Sequence, residues 1–64
     1  MPKTSVTVNV DGINGNAFAV IGAVRRALRE AHVEPAVIAA YTHEAMAGNY
    51  ENLLVVTLEY VDVQ

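Results

Sequence analysis

The residues that most constrain this chain are Asp11-Gly12-Ile13-Asn14-Gly15-Asn16-Ala17-Phe18-Ala19. Before them Val6, Val8 and Val10 alternate with Ser5, Thr7 and Asn9, the period of a strand with one buried face. After them apolar residues recur with helical period from Ala17 to Ala31. Two glycines and two asparagines lie between. Glycine adopts positive φ without steric cost, and asparagine supplies the side-chain acceptor that a helix start needs. Asp11-Gly12 and Asn14-Gly15 are each also two-residue hairpin turns, but the helical pattern that follows favours a strand-to-helix junction. Such a junction turns backbone N–H groups toward solvent, the geometry of an anion site.

From this point the chain reads in both directions. Thr4 to Val10 is the first predicted strand. Helix 1 is predicted from Ala17 to Ala31, with Asn14 or Asn16 as its cap and Phe18, Ile21, Val24 and Leu28 as its core stripe. Beside that stripe Ala19, Ala23, Ala27 and Ala31 recur every four residues. They form either a smooth ridge for close helix approach or simply a run of the best helix former. Pro35 ends the first helix and suits the first turn of a second, predicted to Ala47 with Val37, Ile38, Tyr41 and Ala45 inward. Gly48-Asn49 is a stop signal. Leu53 to Val63 then reads as a strand with Leu54, Val56, Leu58 and Tyr60 on one face. The expected architecture is a single α+β domain over residues 1–64, ordered β-α-α-β. Its two strands are antiparallel, and a helix pair covers one face.

Two strands make a marginal sheet with open edges. With 53% hydrophobic and 17% charged residues, a chain of 64 residues has more apolar surface than it can hide alone. Self-association as a homodimer or larger assembly is therefore expected. Cysteine is absent, which removes disulfides and thiolate metal sites. A formal charge of −3 argues against nucleic acid and anionic membrane as partners. The start, Met1 to Ser5, has no apolar stretch behind it, and the apolar run Ala17 to Val24 is too short to span a bilayer. A cytoplasmic protein is expected.

The strings Gly15-Asn16-Ala17-Phe18-Ala19, Val24-Arg25-Arg26-Ala27-Leu28-Arg29-Glu30-Ala31 and Glu44-Ala45-Met46-Ala47-Gly48-Asn49-Tyr50-Glu51-Asn52-Leu53-Leu54 carry a resemblance. Together they resemble a group of small uncharacterised bacterial and phage proteins with an Asp-Gly-Asn-Ala-Phe-Ala start, an arginine-rich helix and a later Leu-Leu passage. The likeness spans residues 11–63. The chain departs from the pattern by the additional Ile13-Asn14-Gly15 and by Tyr60 in place of a tryptophan. The resemblance implies a bacterial or phage accessory protein, and no activity.

Little in the sequence carries chemistry. His32 and His43 stand eleven apart on different elements, which is no recognised ligand set, so no metal or other cofactor is expected. Ser5 has no base near it in sequence, and no enzyme is expected. Arg25, Arg26 and Arg29 are three of the four basic residues, gathered on one helix. They read as a solvated face, with Arg26 and Glu30 an i,i+4 pair. Arg25 and Arg29 also have the spacing to grip a phosphate or carboxylate. The expected function is a small non-catalytic homo-oligomeric binding module acting on a protein partner. The alternative is an anionic small-molecule binder, a nucleotide trap, with Gly15, Asn16 and Ala17 of one subunit facing Arg25 and Arg29 of another.

Overall fold

The structure, a computed structural model, describes residues 3–13 and 15–64. Its elements follow in the order β1 (Thr7–Val8), α1 (Ala17–Glu30), α2 (Pro35–Ala45), α3 (Tyr50–Tyr60) and β2 (Asp62–Val63). The two strands pair in parallel, Thr7 with Asp62 and Val8 with Val63. The antiparallel β-α-α-β expectation is therefore corrected on two counts: the chain has a third helix, and its strands run the same way. One follows from the other. Each short connection reverses the chain, so two intervening helices return it antiparallel and three return it parallel.

The third helix occupies most of the segment expected as the last strand. In Leu53-Leu54-Val55-Val56-Thr57-Leu58 apolar residues fall on every side, so periods of two and of 3.6 both find a face. The start decides it. Asn49 Oδ1 accepts the Asn52 N–H at 3.0 Å, and Glu51 places a carboxylate in the first turn, where the helix dipole favours it. The buried residues are then Leu53, Val56, Thr57 and Tyr60, spaced i, i+3, i+4, i+7. Gly48 is required just before the cap, because a Cβ there would lie 2.9 Å from Asn52 Cβ. Asn52 Nδ2 in turn donates to the Glu44 carbonyl at 3.1 Å, satisfying an end of α2.

In α1 the capping role falls to Asn16, whose Oδ1 accepts the Ala19 N–H at 3.1 Å. Asn14, the other candidate cap, and the opening Met1 and Pro2 lie outside the described residues. The buried face of α1 is Val20, Ile21, Val24 and Leu28. Phe18, expected in that stripe, is 79% exposed. Val20 fits the stripe centred on Val24, whereas Phe18 lies about 120° around the helix from Val24 and about 160° from Val20. The helix closes on a complete Schellman motif, with His32 N–H to Arg29 O and Val33 N–H to Leu28 O, both 3.0 Å. His32 carries φ +61°, the position glycine usually fills.

The core lies between the three helices and β1. Tyr41 is fully buried and shares a 2.9 Å hydrogen bond with the Thr57 hydroxyl. Its ring meets that of Tyr60 edge-on, with centroids 5.4 Å apart. β1 is much shorter than the expected Thr4–Val10 strand, although the inward turn of Val6, Val8 and Val10 persists. The residues before it strap the far end of α3. The Lys3 and Thr4 N–H groups donate to the Glu59 and Tyr60 carbonyls, and Thr4 Oγ1 donates to the Tyr60 carbonyl at 2.6 Å. No helix among the described residues is long and apolar enough to cross a membrane.

Candidate functional site

The outer faces of α1 and α2 form a groove. At one end Phe18, Met46 and Tyr50 surround a cleft of about 170 Å³ floored by Ile21, Ala45 and Leu53. Met46 also borders the next cleft, which it shares with Arg25, Ala39, Thr42 and His43. Arg25 and Ala39 continue into the third, with Arg29, His32, Glu34 and Ile38. Shared walls make these one continuous depression. Phe18 opposes Met46, and Arg25 and Arg29 oppose the start of α2, so the two helices run antiparallel. From Phe18 to Arg29 is about 16 Å along the axis.

The sequence dictates this shape. Facing the groove, α1 presents Phe18, Arg25 and Arg29, at i, i+7 and i+11 on one helical face. Opposite them α2 offers Ala39 and Met46. The small side chain of Ala39 borders the middle, while the ends differ in character. One is apolar, with Phe18 79% and Met46 58% exposed, and the other carries Arg25, Arg29 and His32 together with Glu34.

The arginines divide in use. Arg26 Nε reaches Glu30 at 3.3 Å on the far side of α1, as the i,i+4 spacing implies. Among the described residues, Arg25 and Arg29 have no carboxylate within salt-bridge distance. Thr42 is committed elsewhere, its hydroxyl donating to the Ile38 carbonyl at 2.8 Å. His32 and His43 line the groove separately, and among the described residues no group of three or more His, Cys, Asp or Glu stands close enough to hold a metal ion.

The start of α1 is occupied by its own turn. The Gly15 N–H donates to the Tyr50 hydroxyl at 2.6 Å, the Asn16 N–H to the Ile13 carbonyl at 3.0 Å, and the Ala19 N–H to Asn16 Oδ1. Within one chain Gly15, Asn16 and Ala17 stand about 12–20 Å along α1 from Arg25 and Arg29. The fold brings Arg25 and Arg29 together with His32.

Two residue sets escaped that reading. Phe18 and Met46 were legible in principle, since the better core stripe of α1 runs through Val20 and leaves Phe18 outside. The second set is the outer face of α3. There Glu51, Leu54, Val55 and Leu58 recur at i, i+3, i+4, i+7, with Val55 57% and Leu58 58% exposed. Under a strand's period of two this second stripe does not share a face.

Away from the groove, Tyr60 donates to Glu44 Oε2, and the Lys3 ammonium sits 4.6 Å from the Tyr60 ring centroid. The bond to Glu44, then burial, then the charges of Glu44 and Glu59 push the Tyr60 phenol up to about 12. Burial pushes Tyr41 up as well, against the opposing bond from Thr57. Comparison of the chain with protein-family models, with curated proteins and with solved structures returns no match, so the functional reading rests on this geometry.

Proposed function

We propose that the chain is a small non-catalytic binding module whose α1/α2 groove takes an amphipathic helical segment of a protein. The observation that carries this reading is the pair Phe18 and Met46, exposed at the mouth of an apolar cleft beside two arginines without carboxylate partners. A large apolar side chain standing out from so small a domain is destabilising in solubility terms unless something covers it. A helix laid in a groove covers such residues through apolar positions at i, i+3, i+4 and i+7. The cationic end adds orientation and selects an acidic segment.

A titration followed by backbone amide NMR tests this. Two designed helical peptides share one apolar stripe, and one carries glutamates where the other carries lysines. The acidic peptide is expected to move the resonances of Phe18, Arg25, Arg29 and Met46, and Phe18→Ser to abolish the effect. Absence of shifts with both peptides would refute the reading.

The second reading is an anionic small-molecule site, favoured by the convergence of Arg25, Arg29 and His32 on one cleft. Gly15, Asn16 and Ala17 would join it only from another subunit. Inorganic phosphate or a nucleotide that shifts Arg25, Arg29 and His32 while leaving Phe18 and Met46 unmoved would favour it over the helix groove.

A further inference from the structure

Among the described residues six large apolar side chains are exposed, and five of them lie on two surfaces. Phe18 and Met46 belong to the α1/α2 groove, and Leu54, Val55 and Leu58 to the outer stripe of α3. The geometry points to one occupant for the groove, the α3 of a second copy of this chain. This rests on the groove reading above and names the segment that fills it.

Charge selects this pairing over the alternative. The outer stripe of α3 carries Glu51, with Glu59 beside it and no basic residue anywhere on the helix. Packed against its own symmetry mate, α3 would gather carboxylates around an apolar seam. The groove supplies the opposite sign through Arg25 and Arg29.

Spacing agrees as well. Arg25 lies seven residues after Phe18, and Glu51 lies seven residues before Leu58. Each separation is about 10 Å along a helix. With α3 antiparallel to α1, Glu51 meets Arg25 and Arg29 while Leu54 and Leu58 meet Met46 and Phe18. An α3 of 11 residues spans about 16 Å, the length of the groove.

Groove and stripe are different surfaces, so the contact is head-to-tail. Repeated from copy to copy, it closes into a ring or grows as a chain.

Sedimentation equilibrium on the full chain, from micromolar to millimolar concentration, tests the pairing with two charge-reversed variants. One is Arg25→Glu with Arg29→Glu, and the other is Glu51→Arg. Each alone opposes like charges across the contact and is expected to raise the dissociation constant at least tenfold. Mixed in equal amounts, each variant meets its complement, and association is expected to return to near the wild-type constant. Circular dichroism melts of each variant at micromolar concentration establish that it is folded.

Association that persists in both variants overturns the pairing, as does a mixture that fails to recover. A wild type that stays at the mass of one chain throughout also overturns it. In all three cases the peptide titration still decides the groove reading separately. Should the pairing fail while the acidic peptide binds, the groove serves a different partner. Should that peptide cause no shifts while the mixture recovers, the groove takes the α3 of a second copy and not the designed helix.

Discussion

The Tyr41–Thr57 hydroxyl pair offers the sharpest test of the third helix. Both residues are at most 1% exposed, and their oxygens lie 2.9 Å apart. Thr57→Val keeps shape and volume but leaves the Tyr41 hydroxyl buried with no acceptor, a cost of about 1–3 kcal/mol. Tyr41→Phe is milder, because the Thr57 hydroxyl can turn to the carbonyl one helical turn earlier; about 1 kcal/mol is expected. Removing both hydroxyls leaves nothing orphaned, so the double variant should lie within about 1 kcal/mol of wild type. For a domain of this size 1 kcal/mol is about 4–8 °C in Tm. Urea titrations of the four proteins give the coupling directly, with m-values checking that the unfolded state is unchanged. Strictly additive effects, or a silent Thr57→Val, would refute the pairing and with it the helical register of residues 50–60.

Three further outcomes follow from other parts of the chain. His32→Gly should stabilise the protein by about 0.5–1 kcal/mol in a urea titration, since glycine adopts the +61° φ without strain. Asn49→Ala should cost about 1 kcal/mol by removing the α3 cap, whereas the same change in a loop ahead of a strand would leave stability almost unaltered. Because the Tyr60 phenol is raised from 10.0 to about 12, the folded state retains its proton where the unfolded chain has lost it. That contribution is complete below pH 10 and fades as pH rises toward 12. Chemical denaturation across that window should show falling stability, with a shallower fall in Tyr60→Phe; an identical slope in the two proteins would refute the Glu44 contact as its cause.

The sequence shows its helices unevenly. Asn16 before α1 and Pro35 at the head of α2 announce their elements through side-chain chemistry that acts within one turn, so both starts were legible. Asn49 was equally local but stood next to Gly48, and one short string served two purposes, ending α2 and capping α3. The run from Leu53 to Leu58 has apolar residues on its exposed face as well as on its buried one, which erases the contrast that periodicity depends on. The missed helix then reversed the sense of the sheet. The site was legible as chemistry but not as place. Arg25 and Arg29 stood out by composition, while the convergence of Phe18 with Met46 depends on how α1 and α2 cross, which no local pattern encodes.

The strap of Lys3 and Thr4 across the end of α3 joins positions 56 apart in the chain, and this orders the events of folding. The three helices can assemble from neighbouring segments, whereas the strap and the β1–β2 pairing must wait for the longest loop in the molecule to close. In the native state the same contacts have the least local support. Residues 3–8 are therefore expected to open first, releasing the Glu59 and Tyr60 carbonyls while α1, α2 and α3 stay docked, and faster amide exchange at Lys3 and Thr4 than within the helices would show it.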